Sequence, residues 1–123
     1  MDKYKPGDDV GVLEFWPFDA PESDYSIVCG TPKTYGRIEV GGAGHTTRFG
    51  IWRCTKGAFD CTEQGDELMM VLSGRCRITQ HASGEICDLG PGDSLFVRDG
   101  NRVTWNVHED ITKVFFGYKA DGY

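Results

Sequence analysis

Apolar and polar residues alternate one by one along much of this chain. Val103, Trp105 and Val107 are separated by Thr104 and Asn106, and Cys76 and Ile78 are flanked by Arg75, Arg77 and Thr79. A two-residue period of this kind makes a strand with one wet face and one dry face. Such runs predict eight strands: Tyr35 to Val40, Thr46 to Thr55, Glu67 to Leu72, Arg75 to His81, Glu85 to Leu89, Ser94 to Val97, Arg102 to Val107 and Thr112 to Tyr118. The breaks between them carry turn chemistry. Ser73-Gly74, Ala82-Ser83-Gly84-Glu85, Gly90-Pro91-Gly92-Asp93 and Asp99-Gly100-Asn101 supply positive-φ and proline-fixed positions, which predict hairpins rather than helical crossovers. No capped amphipathic stretch of helical length competes with this reading. The predicted fold class is all-β, a double-sheet jelly roll or small barrel over residues 35–123. Residues 1–34 mix Asp, Pro, Gly and aromatics without a sustained period. They predict an extended arm with one or two short strands, covering a sheet edge or reaching a partner subunit.

Composition agrees and narrows the function. At 123 residues the chain supports one core, and 17 glycines with 12% aromatic residues favour strands and tight turns over a helical bundle. Thirteen Lys and Arg against nineteen Asp and Glu give a net charge of −6, with the cations scattered. Nucleic acid and anionic membrane surfaces are therefore excluded as partners, since both need clustered cations. The longest wholly apolar run, Leu68 to Leu72, is far short of a bilayer span, and the first residues lack the apolar centre of a secretory signal. Both point to the cytoplasm. Five cysteines, an odd number without a C-x-x-C pair, exclude a disulfide scaffold and a zinc ribbon. Neither a P-loop nor a dinucleotide fingerprint is present.

One echo organises the rest. Gly65-Asp66-Glu67-Leu68 reappears as Gly92-Asp93-Ser94-Leu95, and each copy leads through a short apolar run to a glycine, Gly74 or Gly100. The segment Gly57 to Gly74, with six residues between Glu67 and Gly74, resembles the first cupin motif. The segment Leu89 to Trp105, with its Pro91-Gly92-Asp93 turn, resembles the second. More narrowly, Gly50-Ile51-Trp52-Arg53-Cys54-Thr55-Lys56-Gly57, Glu67, and Trp105-Asn106-Val107 followed by Thr112-Lys113-Val114 are similar to the cupins grouped with ureidoglycine aminohydrolase and the ethanolamine-utilisation cupin. The resemblance covers residues 35–118 and implies a cupin-type jelly-roll barrel and a homodimer.

It also implies where a metal would sit. A metal-binding cupin supplies two His separated by one residue and a Glu from the first motif, and one His from the second. Here the first two slots hold Cys61 and Glu63, or Asp60 and Thr62, and the last holds Val103. Of four ligands only Glu67 remains. Two readings stay open. In one, Cys61, Glu63 and Glu67 form a rebuilt set for one divalent metal. In the other the barrel holds no cofactor and is lined by Trp52, Phe59, Met69, Val103, Trp105 and Phe115. Glu67 then serves as a hydrogen-bonding or charge-pairing group, with Arg53, Arg98 or Lys113 as its partner. His45, His81 and His108 lie in apparent turns or at strand ends and read as surface imidazoles.

The leading expectation is a cytosolic, homodimeric, single-domain cupin binding a small polar metabolite through Trp52, Arg53, Phe59, Cys61, Glu63, Glu67, Met69, Val103, Trp105 and Phe115. The enzyme alternative is a metal-dependent hydrolase, lyase or isomerase on a small nitrogen-containing or carboxylate substrate. Its catalytic residues would be Glu67 as metal ligand and Lys113 or Glu63 as acid–base partner. A third alternative is a non-enzymatic accessory protein of a metabolic assembly.

Overall fold

A computed structural model describes residues Met1–Tyr123. Nine strands follow one another: β1 (Glu14–Phe15), β2 (Ser26–Cys29), β3 (Thr34–Gly41), β4 (Thr47–Cys54), β5 (Gly57–Thr62), β6 (Asp66–Gln80), β7 (Ile86–Leu89), β8 (Ser94–Val97) and β9 (Arg102–Tyr118). A single 3₁₀ turn, Pro21–Ser23, is the one helical element. Every pairing is antiparallel, and the strands form one continuously hydrogen-bonded sheet. No helix is long and apolar enough to cross a membrane.

The all-β jelly-roll expectation is met, but the strand list needs correcting. The runs predicted at 67–72 and 75–81 are one strand, β6, and those at 102–107 and 112–118 are one strand, β9. Ser73-Gly74 is not a hairpin. The β6–β9 register slips repeatedly between Val71 and Cys76, so Gly74 sits in a bulge that bends the strand without ending it. Its φ of +84°, and an Asp110 carbonyl oxygen 2.1 Å from where a Cβ would lie, leave room for glycine alone. Gly90–Asp93 and Asp99–Asn101 are not hairpin turns either. β7 and β8 both pair with β6 and not with each other, and β8 does not pair with β9. Of the four predicted hairpins, only Ala82–Glu85, between β6 and β7, is one. The strand that prediction missed is β5.

The bends of β6 and β9 divide the sheet into two facing halves. One half carries β1, β3, β4, the end of β9, the start of β6, and β8; the other carries β2, β5, the start of β9, the end of β6, and β7. Their inner faces meet in one core that includes Phe59, Met69, Val71, Cys76, Ile78, Val103, Trp105, Ile111 and Phe115.

The N-terminal segment works at two places. Tyr4, Val10 and Leu13 pack on the outer face of the first half, over Ile51 and Leu72. Further on, Trp16 bonds through its backbone N–H to the Thr34 carbonyl at 2.8 Å, and Phe18 and Tyr25 pack against Phe59 with their rings tilted to it. The outer face is covered only in part. Val40, Phe49, Phe116, Leu68 and Phe96 stand directly opposite one another across five strands, and all but Phe49 are about half exposed or more.

Candidate functional site

β9 begins the site. Val103, Trp105 and Val107, and past the bend at Glu109 Ile111 and Phe115, are in the core at two-residue spacing. Lys113 shares that face and is only 5% exposed. A lysine placed there needs a counter-charge, and Glu67 on β6, 6% exposed, provides it. Lys113 Nζ donates to Glu67 Oε2 at 2.5 Å. The ammonium also stands 4.7 Å from the ring centroids of both Trp52 and Trp105, and 5.7 Å from that of Phe115. Cation–π attraction of this kind strengthens out of water. The pair and its aromatic cage form one unit.

Trp52 reaches the cage because it lies directly opposite Lys113 in the β4–β9 register. Phe59 lies opposite Trp105 in the β5–β9 register, and the two rings are 4° from parallel. Just past β5, Glu63 sends its carboxyl inward, where Oε1 accepts from the Trp105 indole N–H at 3.4 Å. The Cys61 thiol lies 3.9 Å from the same oxygen. Burial, and then the Glu67 charge, push the Glu63 carboxyl above the usual carboxylate range, against the pull of Lys113 and Arg48. Burial also pushes the Cys61 thiol far up, so it is held as a thiol and not as a nucleophile.

These groups surround a cavity of about 140 Å³. It is smaller than the roughly 300–1,000 Å³ of drug-sized sites and suits a small molecule. Of the residues singled out in sequence, Trp52, Phe59, Cys61, Glu63, Glu67, Trp105, Lys113 and Phe115 line it. Four others do not. Arg53 faces away, because one step from Trp52 reverses the side of the strand, and its Nε donates to Thr112 Oγ1 at 2.9 Å. Met69 and Val103 are packed into the core beside the cavity. Arg98 is exposed, over the Phe96 ring. Among the three candidate partners of Glu67, the ion pair is therefore made by Lys113.

Sequence reasoning missed the other wall. Arg48, four residues before Trp52 on β4, faces the cavity by the same strand period. Trp16, Pro17, Ser23 and Tyr25 close it from the arm. Trp16 lies flat on Gly36, where any Cβ would come within 2.1 Å of its ring. The arm is fastened nearby, Gln64 donating to the Glu22 carbonyl at 2.7 Å and Arg102 to the Asp24 carbonyl at 2.6 Å. A second cavity, about 290 Å³, opens between β7 and β8 over Ile78, Leu95, Val97 and Val103. Its polar groups, among them Glu85 and Arg98, lie at the rim, and it gathers no buried charge.

The donor set does not fit the metal site that the barrel architecture implies. No three His, Cys, Asp or Glu side chains converge at metal-holding spacing. Glu67 is engaged by an ammonium, Glu63 is pushed toward its acid form, Cys61 is held as a thiol, and Val103 offers no ligand atom.

Residues 41–115 match the family described as the EutQ-like cupin domain. Among solved structures, the ethanolamine utilization protein Q of Salmonella typhimurium is 20% identical, with a TM-score of 0.61 over 72% of this chain and 71% of its own. The EutQ protein of Clostridium difficile is 18% identical, with a TM-score of 0.62 over 74% and 71%. A cupin-like protein from Thermotoga maritima is 11% identical, with a TM-score of 0.68 over 93% and 84%. At these identities the likeness speaks for the fold alone. No curated protein matches the chain.

Two predictions follow from the buried charges. Lys113→Met and Glu67→Leu each strand a charge in the core and should cost about 3–5 kcal/mol in urea unfolding, whereas the double variant should recover most of that loss. Additive losses would show that the two groups do not act as a pair. For Glu63, a carboxyl raised in the folded state stabilises fully below its unfolded pKa, about 4.3, and that stability is lost as pH rises through the folded value. Glu63→Gln cannot ionise, so its melting temperature should exceed the parent's at pH 8 by a margin that closes toward pH 4. Parallel curves across that range would refute the assignment.

Proposed function

We propose that this chain, which belongs to the EutQ-like cupin family, binds a small polar metabolite inside its barrel, in a site organised by the Lys113–Glu67 pair in place of a metal ion. The observation that supports this is the cavity itself. Aromatic walls from Trp16, Trp52, Phe59, Trp105 and Phe115 surround a few convergent polar groups, the usual make-up of a small-molecule site. A cavity serving only packing has no use for an arginine, a lysine and two glutamates on its walls, since each raises the cost of burial.

Elemental analysis tests the metal-free half of this reading. Tag-free protein incubated with Mn, Fe, Ni and Zn should return far less than one metal per chain. Near-stoichiometric metal that Glu67→Ala abolishes would overturn it. Tryptophan fluorescence tests the binding half, since Trp52 and Trp105 report from the walls. At least one compound from a panel of small acidic, basic and neutral metabolites should give a saturable change that the Lys113→Met, Glu67→Leu double variant loses. A silent panel would count against the barrel as a binding site.

The proposal extends to pairing of two copies. The uncovered apolar row Val40, Phe116, Leu68 and Phe96 supports it, because a contiguous row on a sheet face is a common mark of an interface. Sedimentation velocity at micromolar concentration should show a dimer that Phe116→Glu dissociates; monomer alone in the parent protein overturns this.

A further inference from the structure

We propose that the metabolite is a small monoanion, a carboxylate carried on a flat apolar body, and that Arg48 is the residue that recognises its charge. This rests on the reading of the barrel as a binding site and specifies what that site accepts.

The charged side chains around the cavity pair off incompletely. Four ionisable groups of formal charge line it: Arg48, Glu63, Glu67 and Lys113. Lys113 and Glu67 neutralise each other at 2.5 Å. Glu63 holds its carboxyl against the Trp105 indole N–H and the Cys61 thiol and makes no ion pair with either cation, and burial raises its pKa. Arg48 is left over. It takes part in none of the five ion pairs of the chain. Its Nε is buried without an acceptor.

What touches the guanidinium is aromatic. Its Cζ lies 4.1 Å from the Tyr123 ring centroid and 5.7 Å from that of Phe115. Those rings hold the group in place through cation–π contact, and the one oxygen they carry, the Tyr123 hydroxyl, makes no hydrogen bond to it. A guanidinium with a buried, unused Nε–H, beside a cavity in which Lys113 and Glu67 already answer each other, is complementary to one carboxylate, which it can grip with two parallel hydrogen bonds.

The remaining walls describe the rest of the guest. Trp16, Trp52, Phe59 and Trp105 present rings, and Trp52 and Trp105 have centroids 5.0 Å apart. Flat apolar surface stacks on such walls. A second negative charge would lie unmatched, and a cationic guest would add to Arg48.

The test titrates the full chain with benzoate, benzamide, benzylamine, acetate and inorganic phosphate, read by tryptophan fluorescence and calorimetry. Benzoate should bind about tenfold or more tighter than benzamide, its neutral counterpart, and benzylamine should not compete. Acetate, which lacks the flat body, should bind more weakly than benzoate. Arg48→Gln should reduce benzoate affinity by about tenfold or more while leaving benzamide unchanged, and Arg48→Lys should keep part of the affinity through its charge. Near-ultraviolet circular dichroism establishes that each variant remains folded. Equal binding of benzoate and benzamide, both indifferent to Arg48→Gln, overturns the anion proposal and leaves the barrel reading standing. Preference for phosphate with the same Arg48 dependence replaces the monoanion by a dianion and likewise overturns it. No binding of benzoate or acetate at millimolar concentration overturns it too, and the barrel reading then depends on the wider metabolite panel.

Discussion

A lysine ammonium buried at the centre of a barrel is the constraint around which the rest of this molecule is arranged. Lys113 cannot leave the interior without turning Ile111 and Phe115 out with it, because all three share one face of β9. It cannot remain there alone, since an unpaired buried charge is among the most costly features a fold can carry. Glu67 reaches it along the inner face from a position opposite Gly117, and Trp52 and Trp105 flank it with ring faces. A pair of this kind adds little net stability against an apolar core of the same volume, yet it resists the loss of either member. Its value lies in holding charge at a defined place next to a cavity.

The long strands make that placement possible. β6 and β9 run through both halves of the sheet and bend together, Gly74 leaving room for the Asp110 carbonyl at the corner. Glu67 and Met69 therefore stand on one half of the sheet while Cys76 and Ile78, farther along the same strand, stand on the other, and both sets face one interior. The arm completes the enclosure. Without Trp16, Pro17 and Tyr25 the aromatic cage would open to water on one side, and water weakens every electrostatic contact within it.

Much of this was legible in the sequence, for one physical reason. A strand's two-residue period assigns faces locally, so Val103, Trp105 and Val107 could be placed inside from their own spacing. The same rule decides for Lys113, two residues from Phe115, and against Arg53, one residue from Trp52. β5 carries the same period, Phe59 and Cys61 alternating against Asp60 and Thr62, yet it was not among the predicted strands. The turns were not legible in this way. A Gly with positive φ looks the same whether it ends a strand or bulges within one, and the difference at Gly74 lies in the Asp110 carbonyl, far away in the chain. The pairings of β7 and β8 with β6 rather than with each other are likewise non-local facts. Arg48 escaped notice because its significance is the lack of a partner, and that is visible only once all neighbours are in place.

The need for a counter-charge also governs the carboxylate that the cupin motif supplies. A cupin barrel that keeps the carboxylate of its first motif still has to neutralise it, and either a divalent ion or a protein cation can do so. With Val103 in one ligand slot and with Cys61 and Glu63 in or beside the others, an ammonium answers Glu67 here. A lysine differs from a metal in two ways that matter for a bound molecule. It cannot accept a ligand's lone pair as a Lewis acid does, and its charge is already balanced within the protein. The electrostatic character of the cavity therefore passes from its centre to its wall, to Arg48 and Glu63. Those two groups, and not the carboxylate of the cupin motif, are the wall charges that no opposite charge of the protein answers in an ion pair.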